Sequence, residues 1–139
     1  MLQEAPDDSV LKDLLVQAQT IAIVGVSDKP DRPSYGVAQW LINNSHLQVY
    51  LVNPLLTELF DRPVYPTLSE IPEHIDIVDV FRKIDDAPGV LDETIALNAG
   101  VFWLQLGLSS EEIAAKALNS NITPVMNRCT KIEYARLIK

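Results

Sequence analysis

The sequence predicts an α/β fold of three layers, in which helices cover both faces of a five-stranded parallel sheet. Five short runs of Val, Ile and Leu divide the chain, and near-continuous apolar runs are typical of strands buried on both faces. Segments with helical spacing of apolar residues lie between these runs, which indicates βαβ units. Small or polar residues end each run, as at a ligand-binding sheet edge. The predicted strands are Ile21–Val26, Val49–Val52, Ile75–Phe81, Val101–Leu106 and Thr123–Met126.

Helices are predicted before, between and after these strands. Asp8 or Ser9 is expected to cap a first helix that ends near Ala18, with Val10, Leu14 and Leu15 turned inward. The helices predicted further along the chain are Tyr35–Asn44, Pro88–Asn98, Glu111–Leu118 and Ile132–Ile138.

The segment between the second and third strands is rich in proline. Pro63, Pro66 and Pro72 break any long helix there. We expect an exposed piece at Pro63–Tyr65 and one helical turn at Leu68–Glu70. Exposed Val64 and Tyr65 near a sheet edge would be compatible with a homodimer.

Composition restricts the class of protein. With 139 residues, 47% of them hydrophobic, the chain is predicted to form one domain over residues 1–139. A net charge of −8 argues against nucleic acid and anionic membranes as partners. The start lacks a basic region followed by an apolar one, and no apolar stretch approaches the roughly 20 residues of a membrane span. A cytoplasmic protein is therefore expected.

The loop after the first strand carries the strongest chemical signal. It runs from Gly25 to Gly36 and enters a helix, so helix-terminal N–H groups and the helix dipole favour a phosphate there. Ser27 and Ser34 add hydroxyl donors, while Lys29 and Arg32 add positive charge. The loop lacks the three close glycines of a dinucleotide fingerprint and the Gly-Lys-Ser/Thr of a P-loop. The alternative is a solvated loop in which Ser34 only caps the helix.

Polar residues end the other strands. Asn53-Pro54 stands where NAD-binding folds usually carry an acid for the ribose hydroxyls, and a turn-capping role is equally open. Gln105 offers a donor and an acceptor at a strand end, with capping as its rival role. Asp79 interrupts an apolar strand, so a partner such as Arg82 or Arg128 is expected for its carboxylate.

Cys129 is the single cysteine, which excludes an internal disulfide and a cysteine-rich metal site. Arg128 and Lys131 beside it would favour its thiolate. His46 and His74 are predicted at the amino ends of strands, on the far side from the site, so no Cys-His pair is expected. Cys129 is therefore interpreted first as a packed residue of the site wall and second as a reactive thiol.

Taken together and in order, five segments resemble the small bacterial CoA-binding proteins. These stand-alone domains are similar to the amino-terminal CoA-binding domain of the succinyl-CoA synthetase alpha subunit. The resemblance covers the chain from about Leu14 to Leu137. The segments are Ile21–Tyr35, Val52–Pro54, Val78–Arg82, Trp103–Gly107 and Val125–Glu133.

The resemblance implies a Rossmann-like sheet with coenzyme A lying across its carboxyl edge. It implies that Gly25, Val26 and Ser27 face the phosphates, with Arg32, Ser34 and Tyr35 near them. By the same resemblance Asn53 and Pro54 flank the adenosine, Phe81 and Arg82 the diphosphate or pantetheine, and Gln105 the thiol end. The remaining candidates from the strand ends are Gly107, Asn127, Arg128 and Cys129.

Two departures accompany the resemblance. Leu55 stands where relatives commonly have a lysine that meets a CoA phosphate, and Lys29 or Arg32 are candidates to replace it. The synthetases also have a further domain with a phosphorylated histidine, for which no counterpart is found here. The expected function is a CoA- or acyl-CoA-binding carrier, sensor or regulator without catalysis. The alternatives are an NAD(P)-dependent or acyl-transfer enzyme on the same scaffold, and a protein-interaction module without a ligand.

Overall fold

The computed structural model describes residues 3–138, so Met1, Leu2 and Lys139 of the predicted domain lie outside the described residues. Helices alternate with strands along most of the chain, as predicted. Two 3₁₀ turns are also present. Leu68–Glu70 lies before the strand Ile77–Val80, and Ile84–Asp86 lies after that strand, directly before the helix Ala87–Ala96. The helices are α1 (Asp8–Gln17), α2 (Pro33–Asn44), α3 (Ala87–Ala96), α4 (Glu111–Asn119) and α5 (Thr130–Leu137). The strands are β1 (Thr20–Val24), β2 (Gln48–Val52), β3 (Glu58–Leu59), β4 (Arg62–Tyr65), β5 (Ile77–Val80), β6 (Val101–Leu104) and β7 (Thr123–Val125).

The sheet has seven strands in the order β3-β4-β2-β1-β5-β6-β7, rather than the five predicted. The five predicted strands are all present and pair in parallel. The two additional strands form a hairpin in the proline-rich segment, where β4 pairs in parallel with β2 and antiparallel with β3. They are short and lack an apolar run because an edge hairpin needs little burial, so the pattern search passed over them.

The hairpin also changes the expectation for Val64. Its side chain is only 6% exposed and joins the core, because β4 pairs with β2 through this stretch. Tyr65 is half-buried, and its ring lies 6.3 Å from that of Tyr50. The expectation of an exposed apolar pair was wrong, so Val64 and Tyr65 do not support a homodimer.

Two apolar cores lie on the two faces of the sheet. Along β1, Ile21 and Ile23 join one core and Ala22 and Val24 the other, as the alternation of side chains along a strand requires. Helices α1, α2 and α5 cover the first core, and α3 and α4 the second. The arrangement confirms the three-layer α/β/α class.

The buried face of helix α1 begins at Leu11, one residue later than the sequence suggested. Leu11 and Leu15 are fully buried, whereas Val10 is 47% exposed, so its predicted inward position was wrong. Asp7 occupies the N-cap position without a side-chain cap bond, so neither Asp8 nor Ser9 caps this helix. Residues 11 and 15 lie one turn apart on the same face, and position 10 falls outside it.

Chain order produces a switch point beside β1. From β1 the chain moves to β2 on one side and later returns to β5 on the other. The loops that leave β1 and β5 therefore diverge from neighbouring strand ends, which is where ligands bind in open α/β sheets. None of the described helices has the length and apolarity that a membrane crossing requires.

Candidate functional site

A cleft of about 520 Å³ opens at this switch point. The loops after β1, β5 and β6 and the first turns of α2 and α5 form its walls. Cations come from the loops after β1 and β5, hydroxyls from the β1 loop and α2, and apolar side chains from α2 and the loops after β5 and β6. The lining residues are Gly25, Ser27, Lys29, Arg32, Pro33, Ser34, Val37, Phe81, Arg82, Gln105, Leu106, Leu108 and Cys129.

Gly25 sits where two of these loops cross. Its φ is +89°, a conformation that L side chains rarely adopt. A Cβ atom at this position would lie 2.7 Å from Arg82 Cδ and 2.8 Å from the Phe81 carbonyl oxygen. The glycine therefore allows the β1 and β5 loops to approach each other at the floor of the cleft.

The β1 loop is braced by its own serines. Ser27 N donates to Ser34 Oγ over 2.9 Å, and Lys29 N donates to Ser27 Oγ over 3.0 Å. Each hydroxyl oxygen thus accepts a backbone bond while its own proton stays available for a ligand. Pro33 opens α2 at its first position, where the missing N–H costs no helical bond.

Backbone donors in this loop are fewer than the sequence suggested. The Gly25 N–H donates to the Val52 carbonyl oxygen over 2.9 Å, and that of Ser27 is taken by Ser34 Oγ. The polar groups that line this part of the cleft are the hydroxyls of Ser27 and Ser34 and the cations of Lys29 and Arg32. Within residues 3–138, neither Lys29 nor Arg32 has an ion-pair partner.

Arg82 lies between the cleft and a smaller hollow of about 230 Å³. Its guanidinium is 3.2 Å from the Asp86 carboxylate, with both side chains well exposed. Such an exposed pair contributes little stability, so a bound anion can compete for Arg82. The smaller hollow includes Pro54, Pro66 and Thr67 in its walls.

Asn53 has a structural role in this arrangement. Its Nδ2 donates to the Val26 carbonyl oxygen over 2.7 Å, and its Oδ1 accepts from Leu55 N over 2.8 Å. The side chain therefore joins the β1 loop to the β2 loop and caps the turn that follows. Leu55, next along the chain, is 88% exposed.

Asp79 is completely buried in β5, and no cation among residues 3–138 pairs with it. Its Oδ1 accepts from Gln105 Nε2 over 2.6 Å, and its Oδ2 accepts from the Thr130 hydroxyl over 2.8 Å. Burial raises the pKa of the Asp79 carboxyl to about 7. The predicted pairing with Arg82 or Arg128 was wrong, because those side chains bind Asp86 and Glu4.

Cys129 is buried in the wall of the cleft, just before α5. Burial raises the pKa of its thiol, and this effect exceeds the opposing influence of Lys131. The expectation of a favoured thiolate was therefore wrong, and Cys129 is a packed thiol in the wall of the cleft. His46 contacts Tyr134 Oη at 2.7 Å and the Ala18 carbonyl oxygen at 2.8 Å, at the amino end of β2.

The other candidates surround the cleft without lining it. Val26 is buried, and the Tyr35 ring packs against Phe60 with centroids 4.8 Å apart. Gly107 N donates to Asn127 Oδ1 over 2.8 Å, which ties the β6 and β7 loops together. The Arg128 carbonyl oxygen accepts from Trp103 Nε1 over 2.9 Å. These residues support the walls.

Five lining residues were not among the predicted site residues. Lys29 was noted as a charge in the loop and as a candidate to replace the missing lysine, and Val37 only as part of a helix. Leu106 is 60% exposed in the structure. A leucine at the end of a predicted strand, where the other strands end in small or polar residues, is the sequence signal that could have identified it. The five are Lys29, Pro33, Val37, Leu106 and Leu108.

Comparison with known proteins identifies relatives over nearly the whole chain. Residues 19–135 match the CoA binding domain family. The uncharacterized protein YneT of Bacillus subtilis is 35% identical over 130 residues, which cover 94% of this chain and 96% of YneT. A solved structure, cell-free ID.343 from Thermus thermophilus, is 34% identical with a TM-score of 0.90, covering 96% of this chain and all of that one.

A more distant structure shares the fold alone. It is the dinucleotide forming acetyl-coenzyme A synthetase 1 of Ca. Korarchaeum cryptofilum, in complex with phosphate and ADP. It is 22% identical with a TM-score of 0.71, over 84% of this chain and 28% of the synthetase. The shared fold therefore spans only part of that larger protein.

Proposed function

This chain belongs to the CoA binding domain family, and we propose that it binds coenzyme A or an acyl-CoA in the cleft at the switch point. The supporting observation is that the β1 loop brings cations and a hydroxyl to the cleft, whereas the β6 loop brings the apolar side chains of Leu106 and Leu108. Coenzyme A has phosphates at one end and a pantetheine arm at the other. The proposed role is that of a carrier, sensor or regulator.

The phosphate groups would lie against the β1 loop and the start of α2. Lys29 and Arg32 have no ion pair among the described residues and would supply charge, while Ser27 and Ser34 retain hydroxyl protons. The dipole of α2 adds a favourable field for an anion. In a chain of net charge −8, this local concentration of cations favours a specific anionic ligand over general polyanion binding.

Arg82 and the smaller hollow beside it would extend the site toward Pro54. We assign the adenosine part of the ligand to this side. The pantetheine arm would then lie along Val37, Phe81 and Leu106, ending near Cys129 and Gln105.

The placement of the side chains that could act in catalysis favours a binding role. Asp79 is enclosed by Gln105 and Thr130, the Cys129 thiol has a raised pKa, and His46 is held at the opposite end of the sheet. None of these groups is arranged as a nucleophile with an adjacent base. Against an NAD-dependent enzyme, both polar atoms of Asn53 are engaged within the protein. Action in the cytoplasm, with no nucleic-acid or membrane partner, belongs to the same proposal.

Calorimetric titration with CoA, NAD and ADP in parallel tests the proposal. We expect CoA to bind most tightly, and Arg32→Ala to weaken it roughly tenfold or more through the loss of a charge-assisted contact. Lys12→Ala, on the exposed side of α1, is the control that removes one positive charge outside the cleft. Binding of NAD in preference to CoA would favour the enzyme, and binding of none of the three would favour a protein-interaction module.

A further inference from the structure

Gln105 presents a single unpaired atom to the cleft. Its side chain is only 6% exposed, and its Nε2 donates to Asp79 Oδ1 over 2.6 Å and to Thr130 Oγ over 3.0 Å. Both amide protons are therefore used. Within the part of the chain that the structure describes, no donor bonds to Gln105 Oε1, yet this atom is not sealed off from the cleft that the residue lines.

The surrounding hydrogen bonds determine this orientation of the amide. The Thr130 hydroxyl donates its proton to Asp79 Oδ2 over 2.8 Å, so its oxygen must accept from Gln105. When Asp79 is ionised, as in a buffer of about pH 8 because its pKa is about 7, reversing the amide would place Oε1 against a carboxylate oxygen and a hydroxyl lone pair at once. Because the network holds the amide nitrogen inward, the cleft receives a fixed acceptor.

The position of this acceptor relates it to one end of the proposed ligand. Gln105 follows β6, two strands along the sheet from the β1 loop that carries the cations, a separation of about 10 Å. The neighbouring walls are the apolar side chains of Leu106 and Leu108 and the thiol of Cys129. This position is within reach of the pantetheine arm of a ligand held by its phosphates at the β1 loop.

We propose that Gln105 Oε1 accepts a hydrogen bond from the free thiol of coenzyme A, so that the cleft prefers CoA to its thioesters. This inference rests on the proposed function. A thiol can donate to the amide oxygen, whereas a thioester sulfur has no proton and its carbonyl oxygen would face another acceptor. Discrimination arises because an acceptor left unpaired in a buried site is costly.

The test is calorimetric titration of the full chain with CoA, acetyl-CoA and desulfo-CoA, in a phosphine reductant that keeps thiols reduced. We expect CoA to bind about three- to tenfold more tightly than either of the other two, the range of one modest hydrogen bond. In Gln105→Met, which has similar length and no acceptor, the three affinities should converge. Arg32→Ala should weaken all three by the same factor and leave their ratio unchanged.

The outcomes separate this inference from the proposed function. Equal binding of the three ligands to the wild-type chain would overturn the thiol contact and leave CoA binding intact. An equal loss for CoA and desulfo-CoA in Gln105→Met would assign the acceptor to a pantetheine amide and also overturn it. Absence of binding by all three would overturn both. The comparison of CoA with desulfo-CoA on the wild-type chain requires no variant to fold.

Discussion

Asn53 Nδ2 donates a hydrogen bond to the Val26 carbonyl oxygen over 2.7 Å, which joins the loops that leave β2 and β1. In Asn53→Asp this donor becomes an oxygen that faces another oxygen. We expect the free energy of unfolding to fall by about 1–3 kcal/mol, the cost of an unsatisfied, partly buried acceptor. Urea unfolding measures the change.

Gln39→Glu is the matched control, because it makes the same amide-to-acid change on the exposed face of α2. Its effect should stay within about 0.5 kcal/mol. Equal effects of the two substitutions would show that the Asn53 bond contributes nothing to the fold.

Gly25→Ala and Gly36→Ala should change stability in opposite directions. At Gly25 the positive φ and the contacts with Arg82 and Phe81 predict a loss of about 2–4 kcal/mol. At Gly36, inside α2, an added Cβ meets no atom within 4 Å. There alanine should stabilise the protein by about 0.5–1 kcal/mol. Thermal and urea unfolding test both, and a tolerated Gly25→Ala would contradict the close approach of the two loops.

Asp79 should make the free energy of unfolding depend on pH. Its carboxyl pKa is raised from 3.8 to about 7 by burial, so the folded protein retains a proton that the unfolded chain loses. The stabilising contribution is complete below pH 3.8 and is lost as the pH rises to about 7. Asp79→Asn should remove this pH dependence. Across the full range we expect the Asp79 contribution to the free energy of unfolding to change by several kcal/mol.

The measurement is urea unfolding of both proteins between about pH 4.5 and pH 7.5, compared as a difference. Asp8, whose pKa is lowered by its bond to Arg136, contributes the opposite slope but is common to both proteins. Parallel pH profiles would mean that Asp79 does not retain its proton in the folded state.

Leu55→Lys should strengthen CoA binding. Leu55 is 88% exposed, so the substitution leaves the core intact, and it introduces the lysine that the family resemblance leads us to expect there. Because the site is solvated, we expect a gain of about two- to tenfold at low salt that diminishes at high salt. Leu118→Lys on α4, which also replaces an exposed leucine, is the control. An unchanged affinity would show that no phosphate group reaches position 55.

Cys129 should react slowly with iodoacetamide in the folded protein. The thiol is buried and its pKa is raised by that burial, so both access and thiolate fraction are reduced. Bound CoA should slow the reaction further by covering the cleft. Mass spectrometry over time, with urea-unfolded chain as the reference, measures the rates. Equal rates for folded and unfolded chain would restore the interpretation of a reactive thiol.

Sequence reasoning worked best where local pattern and burial agree. The apolar run at β1 predicted a strand, and all five residues from Thr20 to Val24 are buried in the structure. The position of the Gly25–Gly36 loop directly after that strand predicted that the loop lies at the edge of the sheet. It failed at β3 and β4, which have two and four residues. Such short edge strands are stabilised by pairing with β2 rather than by any pattern of their own.

Thus the alternation of the helices with the five core strands and the parallel α/β class were determined by the sequence alone, because apolar periodicity follows directly from burial. Which polar atoms remain free for a ligand was decided by the tertiary structure. Asp79 bonds to Gln105 and Thr130, 26 and 51 residues away, and not to a nearby arginine. Hydrogen bonds depend on distance and direction between atoms that only folding brings together, so residue type alone did not predict these partners.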